Sequence, residues 1–430
     1  MLRYKRLLVS AGLLFVLTLL PVTTFASGLS SGEESPVRTL SLQDVLKRIS
    51  TSPTLQAAAK NIEIHDGLAE QANLLPNPDI AIDVENFAGE DALKGLDSAE
   101  TTIAVSQLLE LGGKRTARKG IANHEKSLAE WDFQIQSQNL RLETMKAFYA
   151  LLAVQERLNQ STQLTVLAEQ TYRTVADRVE AGKVSPVQEL RARIELNLAK
   201  IAGKTLQRQL IQARQDLSSL WGDPEPDFDV AIGSFESLRE PPTWEELQVA
   251  LLNTPEVKRW EAELARNNSN LDLARANSIP DVTLSFGIRN YQQTNSNAFV
   301  AGMEIPLSIF DRNQGGRKAA QSEVSQSISL RDAAIAKLAS DLQSNYQELM
   351  ATYLQALTIK QDVMPLAEQA NEAAQIGYQE GKFNFLDALD AQRTLFDVKA
   401  QYVDAFSAYH EARLNVMRMA GRLNDVQQTN

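Results

Sequence analysis

The two halves of the chain repeat one series of short segments, about 200 residues apart. The four pairs, in the same order in both halves, are Ser52-Pro53-Thr54-Leu55 with Thr254-Pro255-Glu256-Val257, Asn77-Pro78-Asp79-Ile80 with Ile279-Pro280-Asp281-Val282, Ala181-Gly182-Lys183 with Glu380-Gly381-Lys382, and Trp221-Gly222 with Ala420-Gly421. A shared order with a nearly constant offset indicates an internal duplication, which constrains the architecture more than any local pattern. Each half is therefore expected to build the same set of elements.

The start of the chain has the composition of a secretory signal. Arg3, Lys5 and Arg6 form a basic region, residues 7–20 are apolar, and Thr24-Phe25-Ala26 offers a small-residue cleavage site. The apolar run is shorter than the roughly 20 residues that a membrane-spanning helix needs. We predict that residues 1–26 are a cleaved signal peptide and that the chain is exported.

The composition argues against several classes of function. The sequence contains no Cys, which excludes a disulfide framework and thiolate metal sites. Its formal net charge of -11 does not suit nucleic-acid binding, which relies on patches of Lys and Arg. His65, His124 and His410 have no second His four residues away, so a tight metal site is not expected. We predict that the protein is not an enzyme and has no cofactor or resident metal.

Each half contains an unusually long helical stretch. Residues 121–181 include neither Gly nor Pro and are rich in strong helix formers, whereas a typical globular helix has about 8 to 20 residues. The second half repeats this pattern over residues 317–364, after which Pro365 is predicted to kink or interrupt the helix. Gly182 and Gly381 are predicted to end the long helices. Each half is thus expected to form a hairpin of long antiparallel helices, returning over residues 188–220 and 385–420.

Between a first helix, predicted over Leu42–Leu75, and the long helix, the pattern changes to alternation of apolar and polar residues. Residues 79–107 and 281–307 each contain two such runs, which predict one β-hairpin per half. The runs approach the 9 to 11 residues or so that cross a membrane as a tilted strand, but the smallest transmembrane barrels have about eight strands. Four strands per chain would therefore require oligomerisation. Strand pattern alone leaves open a soluble hairpin pair packed on helices.

These elements predict two structural repeats joined by a linker. We place the first repeat at residues 27–230 and its helical tip near residue 182. The linker covers residues 231–242, in a region rich in Pro, Asp and Glu, and the second repeat covers residues 243–430, with its tip near residue 381.

The complete set resembles the TolC-like outer-membrane efflux proteins. The segments that carry the resemblance are Leu75-Pro76-Asn77-Pro78, the run from Val105 to Arg115 with Leu111-Gly112-Gly113-Lys114-Arg115 at its end, Ile305-Pro306-Leu307, Phe310-Asp311-Arg312-Asn313-Gln314-Gly315, and the run from Phe385 to Gln392. The segments around Asn77-Pro78 and Gly112-Gly113 are most similar to the heavy-metal cation (CzcC-like) branch.

This resemblance implies a fold that is mainly α with a transmembrane β part. Long α-helical hairpins would form an α-barrel in the periplasm, and the two β-hairpins would add four strands to a 12-stranded barrel closed by a homotrimer in the outer membrane of a Gram-negative bacterium. The implied partners are outer-membrane lipid, a periplasmic adaptor (membrane fusion) protein and an inner-membrane pump of the resistance-nodulation-division (RND) type. The implied function is a passive efflux conduit for heavy-metal cations, driven by the pump.

The resemblance also implies a periplasmic gate. Asp387 and Asp390 lie three residues apart on one helix face and match aspartates that narrow the periplasmic mouth in this family, and Tyr378 matches a tyrosine of the same constriction. Three chains would bring together six carboxylates, a ring that favours cations. The alternative is that acidic residues near a helix start complement its dipole. The chain departs from the family pattern at Gln188 and Phe383, where acidic and basic residues are common.

The helical tips are the expected adaptor contacts. These residues are Ala181, Gly182, Lys183, Glu380, Gly381 and Lys382. Two other functions stay open: export of drugs or of polypeptides through a channel of the same family, and a soluble periplasmic coiled-coil scaffold.

Overall fold

Long helices dominate the part of the chain that the structure, a computed structural model, describes, namely residues 37–427. The predicted signal peptide lies outside these residues. The helices are α1 Leu42–Ile49, α2 Pro53–Ala72, α3 Lys114–Glu180, α4 Pro186–Ser219, α5 Trp244–Leu251, α6 Pro255–Ala276, α7 Gln314–Thr358, α8 Met364–Gln379, α9 Phe385–Met419 and α10 Leu423–Gln427. The strands are β1 Thr39–Ser41, β2 Asp79–Glu85, β3 Glu100–Leu109, β4 Val230–Ile232, β5 Val282–Tyr291 and β6 Ser296–Glu304.

Two helical hairpins form the long part of the structure. Helix α3 has 67 residues, which corresponds to about 100 Å, and it returns through α4. The second hairpin runs through α7 and α8 and returns through α9. Its outgoing limb is interrupted at Ile359–Val363 by a π-helical turn, which ends two residues before Pro365. The predicted interruption is therefore confirmed: proline lacks the N–H for a regular helical bond, and a wider turn accommodates it.

The predicted single helix over Leu42–Leu75 is wrong, because the chain forms α1 and α2 with a break between them. Ser52 caps α2 by accepting a hydrogen bond from the Leu55 amide (3.3 Å), and Pro53 occupies the first turn. Proline is favourable at the start of a helix but not inside one. A break also separates α5 from α6, where Pro255 occupies the first turn and the Thr254 hydroxyl donates back to the Leu251 carbonyl (2.7 Å).

The β-hairpins of the two halves form a single antiparallel sheet in the order β2-β3-β5-β6. Ile103 in β3 pairs with Ile82 on one side and with Ile288 on the other, so the hairpins join through β3 and β5. Among the described residues, β2 and β6 each have only one neighbouring strand. A separate two-stranded parallel sheet pairs β1 with β4.

The main core lies where α9 packs against the middle of α3 on one side and against α7 on the other. Met145, Phe148, Leu349, Phe406 and Leu414 are almost completely buried there. No helix in residues 37–427 combines the length and the apolar composition needed to span a bilayer.

The segment predicted as a linker is fixed to this core. The Tyr409 hydroxyl donates to the Arg239 carbonyl and accepts from the Arg239 amide, both at 2.9 Å. Lys360 Nζ donates to the Glu236 carbonyl (3.1 Å). The residues between the halves thus contact α9 and the π-helical turn, and they begin with a strand, β4.

Candidate functional site

The tip between α8 and α9 is built by a glycine turn followed by a helix cap. Asn384 Oδ1 accepts hydrogen bonds from the amides of Leu386 (2.8 Å) and Asp387 (3.1 Å), and Asp387 Oδ2 accepts from the Asn384 amide (3.1 Å). This reciprocal pair is a capping box. It fixes the direction in which α9 leaves the tip.

Asp387 and Asp390 lie together on the exposed face of α9. Both line one surface hollow, with Leu386 and Arg393 among its other residues. The helix start accounts for Asp387, which belongs to the capping box. It does not account for Asp390, because the dipole effect fades within the first turn. Within residues 37–427 the Asp390 carboxylate has no hydrogen bond or ion pair, so its charge is unbalanced in one chain.

Tyr378 lies in a different place from the two aspartates. Its ring is 8% exposed and packs against Phe385, with 5.9 Å between ring centroids. The Arg178 guanidinium lies 4.4 Å from the Tyr378 ring centroid. The Tyr378 hydroxyl and Gln188 Oε1 are buried, without a hydrogen-bond partner in the described part of the chain. The structure thus brings together Asp387 and Asp390 but places Tyr378 between the two helical hairpins.

Two arginines that sequence reasoning missed connect these hairpins. Arg178, in the last turn of α3, donates from Nη2 to the carbonyls of Tyr378 (3.3 Å) and Gln379 (3.2 Å), at the end of α8. The last carbonyls of a helix lack helical partners and carry partial negative charge, so a guanidinium suits them. Further along α9, Arg393 forms an ion pair with Glu195 of α4. A local sequence signal existed only for Arg178, a basic residue four positions before Gly182 and so near a helix end.

The six predicted tip residues are all exposed, but the two tips differ. Gly182 and Gly381 both have positive φ, as the turn requires. Lys382 pairs with Glu380 at 2.5 Å, whereas Lys183 has no ion pair among the described residues. The second tip also carries Phe383, which is 48% exposed and lies over the last turn of α8.

The four-stranded sheet has one apolar and one polar face. Strand register places on the apolar face Ile80, Ile82, Val84, Ile103, Val105, Leu109, Val282, Leu284, Phe286, Ile288, Phe299 and Met303. Many of these side chains are exposed, and Phe299 is 90% exposed. From Val282 to Ile288 the apolar run covers about 20 Å, close to the roughly 25 Å apolar band of outer-membrane barrels. The opposite face carries small and charged residues, including Asp83, Glu85 and Arg289.

The Leu111–Arg115 segment forms the bend between β3 and α3. Lys114 Nζ lies 2.8 Å from Asp281 Oδ1, which also accepts from the Leu111 amide (2.9 Å). Arg115 Nε donates to the Asn73 carbonyl at the end of α2 (2.7 Å). The motif therefore joins three strand–helix junctions from both halves of the chain.

Comparison with known proteins agrees with this architecture. The family model described as outer membrane efflux protein matches residues 47–223 and 247–422. The cobalt-zinc-cadmium resistance protein CzcC of Cupriavidus metallidurans is 36% identical over 372 residues, covering 86% of each protein. The nickel and cobalt resistance protein CnrC of the same species is 28% identical, covering 71% of this chain and 70% of that protein.

A solved structure of CusC superimposes with a TM-score of 0.74 at 17% identity, covering 88% of this chain and 91% of that one. The fold is therefore that of the TolC-like outer-membrane channels, in which long helical hairpins carry a β transmembrane part. The resemblance expected from the sequence is confirmed by the family match, the close relative and the shared fold. The chain belongs to the outer membrane efflux protein family.

Proposed function

We propose that this protein is the outer-membrane channel of a tripartite efflux system for heavy-metal cations. It acts as a homotrimer that docks on a periplasmic adaptor and receives its cargo from an inner-membrane RND pump. The relatives named for resistance to cobalt, zinc, cadmium and nickel support this class of cargo. The energy comes from the pump, and the channel itself performs no chemistry.

Two features of a single chain support a trimer: the edge strands of its sheet and an exposed apolar stripe on α4. The edge strands β2 and β6 present unpaired backbone groups, which in lipid must be paired by closing the sheet. Three chains supply twelve strands, consistent with the even strand numbers of bacterial barrels. On α4, Leu190, Ile194, Leu198 and Ile201 recur every three or four residues and are all more than half exposed. Such a stripe is suited to packing against a helix of the neighbouring copy.

The position of the Asp390 carboxylate is the single observation that most supports the proposed gate. Its exposed carboxylate lies beyond the helix cap and has no partner in residues 37–427, and Asp387 lines the same hollow. Six such carboxylates around a threefold axis attract cations and repel anions. The exposed residues of both tips, Ala181 to Lys183 and Glu380 to Lys382, provide the adaptor contacts. Arg178 and Tyr378 act behind the gate, where they hold the hairpins together.

The double variant Asp387→Asn, Asp390→Asn tests this assignment. An asparagine at position 387 keeps an oxygen that accepts the Asn384 amide, so the cap survives while both charges are lost. In planar bilayers, the variant is expected to lose most of the cation preference of the wild type. The matched control is Asp332→Asn, Asp341→Asn, which removes two exposed carboxylates from the middle of α7. An unchanged reversal potential in the gate variant would contradict the assignment.

Cargo is tested in cells that lack the gene. Loss of the channel is expected to increase sensitivity to cobalt, zinc and cadmium, with restoration by the wild-type gene. Sensitivity to detergents and dyes alone would favour drug export. Extraction without detergent would favour the soluble scaffold.

A further inference from the structure

Arg289 is the only basic residue in the four strands of the described sheet. It lies in β5 near the end of the sheet farthest from the helices, because α2, α3, α6 and α7 all connect to the opposite end. Register places Arg289 opposite Thr102, which in turn pairs with Asp83. All three side chains are on the polar face.

The Arg289 guanidinium contacts three side chains on two other strands. Nη1 lies 3.1 Å from Glu100 Oε2, Nη2 lies 3.2 Å from Glu85 Oε2, and Nε donates to Thr102 Oγ1 at 2.9 Å. Asn86 Nδ2 donates to the other oxygen of Glu100 (2.9 Å). One cation from the second half of the chain thus neutralises carboxylates from the first half.

The neutralisation is incomplete. Asp83, Glu85 and Glu100 supply three carboxylates at this end of the polar face, against one guanidinium. We call these four residues the outer collar. The Arg289 side chain is 31% exposed and the Glu100 side chain 21%, so water screens their charges only partly. Loss of the positive charge at Arg289 would therefore make the collar markedly more negative.

We propose that Arg289 determines the ion selectivity of the outer end of the channel. This inference rests on the proposed function, in which the polar face lines the lumen of a trimeric barrel. The charged groups of a water-filled pore with low-dielectric walls focus the field and control which ions enter. Arg289 limits the negative charge of the collar, so that cations arriving at the outer end are released and not retained.

The two ends of the channel can be measured separately through the salt dependence of screening. The Debye length is about 30 Å at 0.01 M salt and about 3 Å at 1 M. Protein added to one side of a planar bilayer leaves its helical tips on that side, because the long polar helices cannot cross. With dilute salt on the barrel side, collar charges dominate the reversal potential; with the gradient reversed, Asp387 and Asp390 dominate.

The test compares Arg289→Gln, Arg289→Lys and Glu100→Gln in both gradients. With dilute salt on the barrel side, Arg289→Gln is expected to raise the cation-to-anion permeability ratio about two-fold, because three positive charges per trimer are lost. Glu100→Gln is expected to lower it, and Arg289→Lys to leave it close to wild type. The control Lys337→Gln removes one positive charge from an exposed pair on α7. Neither gradient should detect this change.

The outcomes separate this inference from the proposed function. A wild-type protein that forms no channel would overturn both. A channel in which Arg289→Gln lowers only the thermal stability of the trimer, with the reversal potential unchanged, would overturn the collar and leave the proposed function intact. If Arg289→Gln does not assemble, the opposite shift in Glu100→Gln still supports the proposal, and its absence contradicts it.

Discussion

At the scale of single residues, His410 is a deeply buried ionisable group that the proposed transport does not use. It is 2% exposed and stacks on Tyr149, with 4.2 Å between ring centroids. Its Nε2 lies 2.6 Å from the Phe235 carbonyl and donates to it in the neutral ring. Burial lowers the pKa of His410 to about 4, the bond to Phe235 opposes this shift, and Arg413 reinforces it.

This environment predicts acid sensitivity. The folded state holds the ring neutral, whereas the unfolded chain protonates it below its ordinary pKa of about 6.5. The free energy of unfolding is therefore unaffected by His410 above pH 6.5 and falls as the pH drops towards 4. The total loss is about 3 kcal/mol. Urea unfolding of the detergent-solubilised protein at pH 7 and pH 4.5 checks this. The wild type is expected to lose about 2.5 kcal/mol more than His410→Phe. Equal losses in both proteins would show that His410 does not titrate with unfolding.

At the scale of elements, the bend between β3 and α3 needs glycine for two reasons, its backbone conformation and its close contact with the turn between α6 and β5. Gly112 and Gly113 both have positive φ, +71° and +79°. A Cβ on Gly112 would lie 2.9 Å from Ile279 Cδ1 and 3.0 Å from the Ala276 carbonyl, whereas a Cβ on Gly113 would meet nothing within 4 Å. A substitution at Gly113 therefore tests backbone strain alone, whereas one at Gly112 tests backbone strain and packing together.

We expect Gly113→Ala to lower the free energy of unfolding by about 1–2 kcal/mol, the cost of a left-handed alanine. Gly112→Ala carries the same cost and forces apart the α6–β5 turn, adding about 1–3 kcal/mol. Thermal unfolding followed by circular dichroism at 222 nm measures both variants. Equal melting temperatures would mean that the junction relaxes freely and that contact with Ile279 does not matter.

At the scale of the whole molecule, one face of the sheet must contact lipid and the other must contact water. Ile82 and Ala81 are neighbours in β2, both exposed in a single chain, and register places them on opposite faces. Ile82 faces lipid in the proposed trimer, and Ala81 faces the lumen. Exposure in one chain does not distinguish them, but assembly in a membrane does.

The variants Ile82→Lys and Ala81→Lys test the orientation of the sheet. A lysine on the lipid face costs about 2–4 kcal/mol per chain near the bilayer centre, while a lysine facing water costs little. Ile82→Lys is expected to reduce the amount of heat-modifiable trimer in the outer membrane several-fold, and Ala81→Lys to leave it near wild type. The reverse order would place the apolar face inside the barrel.

Local patterns predicted the elements that depend on local interactions. The absence of Gly and Pro across residues 121–181 predicted α3, and alternation predicted the strands. The helix break at Pro53 was not predicted, although a serine followed by a proline is typical of a helix start. The pairing of β3 with β5, the contact of Arg178 with α8 and the ion pair of Arg393 with Glu195 were not predicted.

By itself, the sequence determined the two kinds of hairpin, the glycine tips and the family, because each depends on patterns of residues close to one another along the chain. It also determined the duplication, because these patterns recur in the same order about 200 residues later. Only the tertiary structure decided how the two halves contact each other, with their β-hairpins joined through β3 and β5. It placed Tyr378 behind the tip and not beside Asp387 and Asp390, and it brought Arg289 onto Glu85 and Glu100. Contacts between residues about 200 positions apart depend on register and helix packing, and a one-residue shift of a strand would move every side chain to the other face.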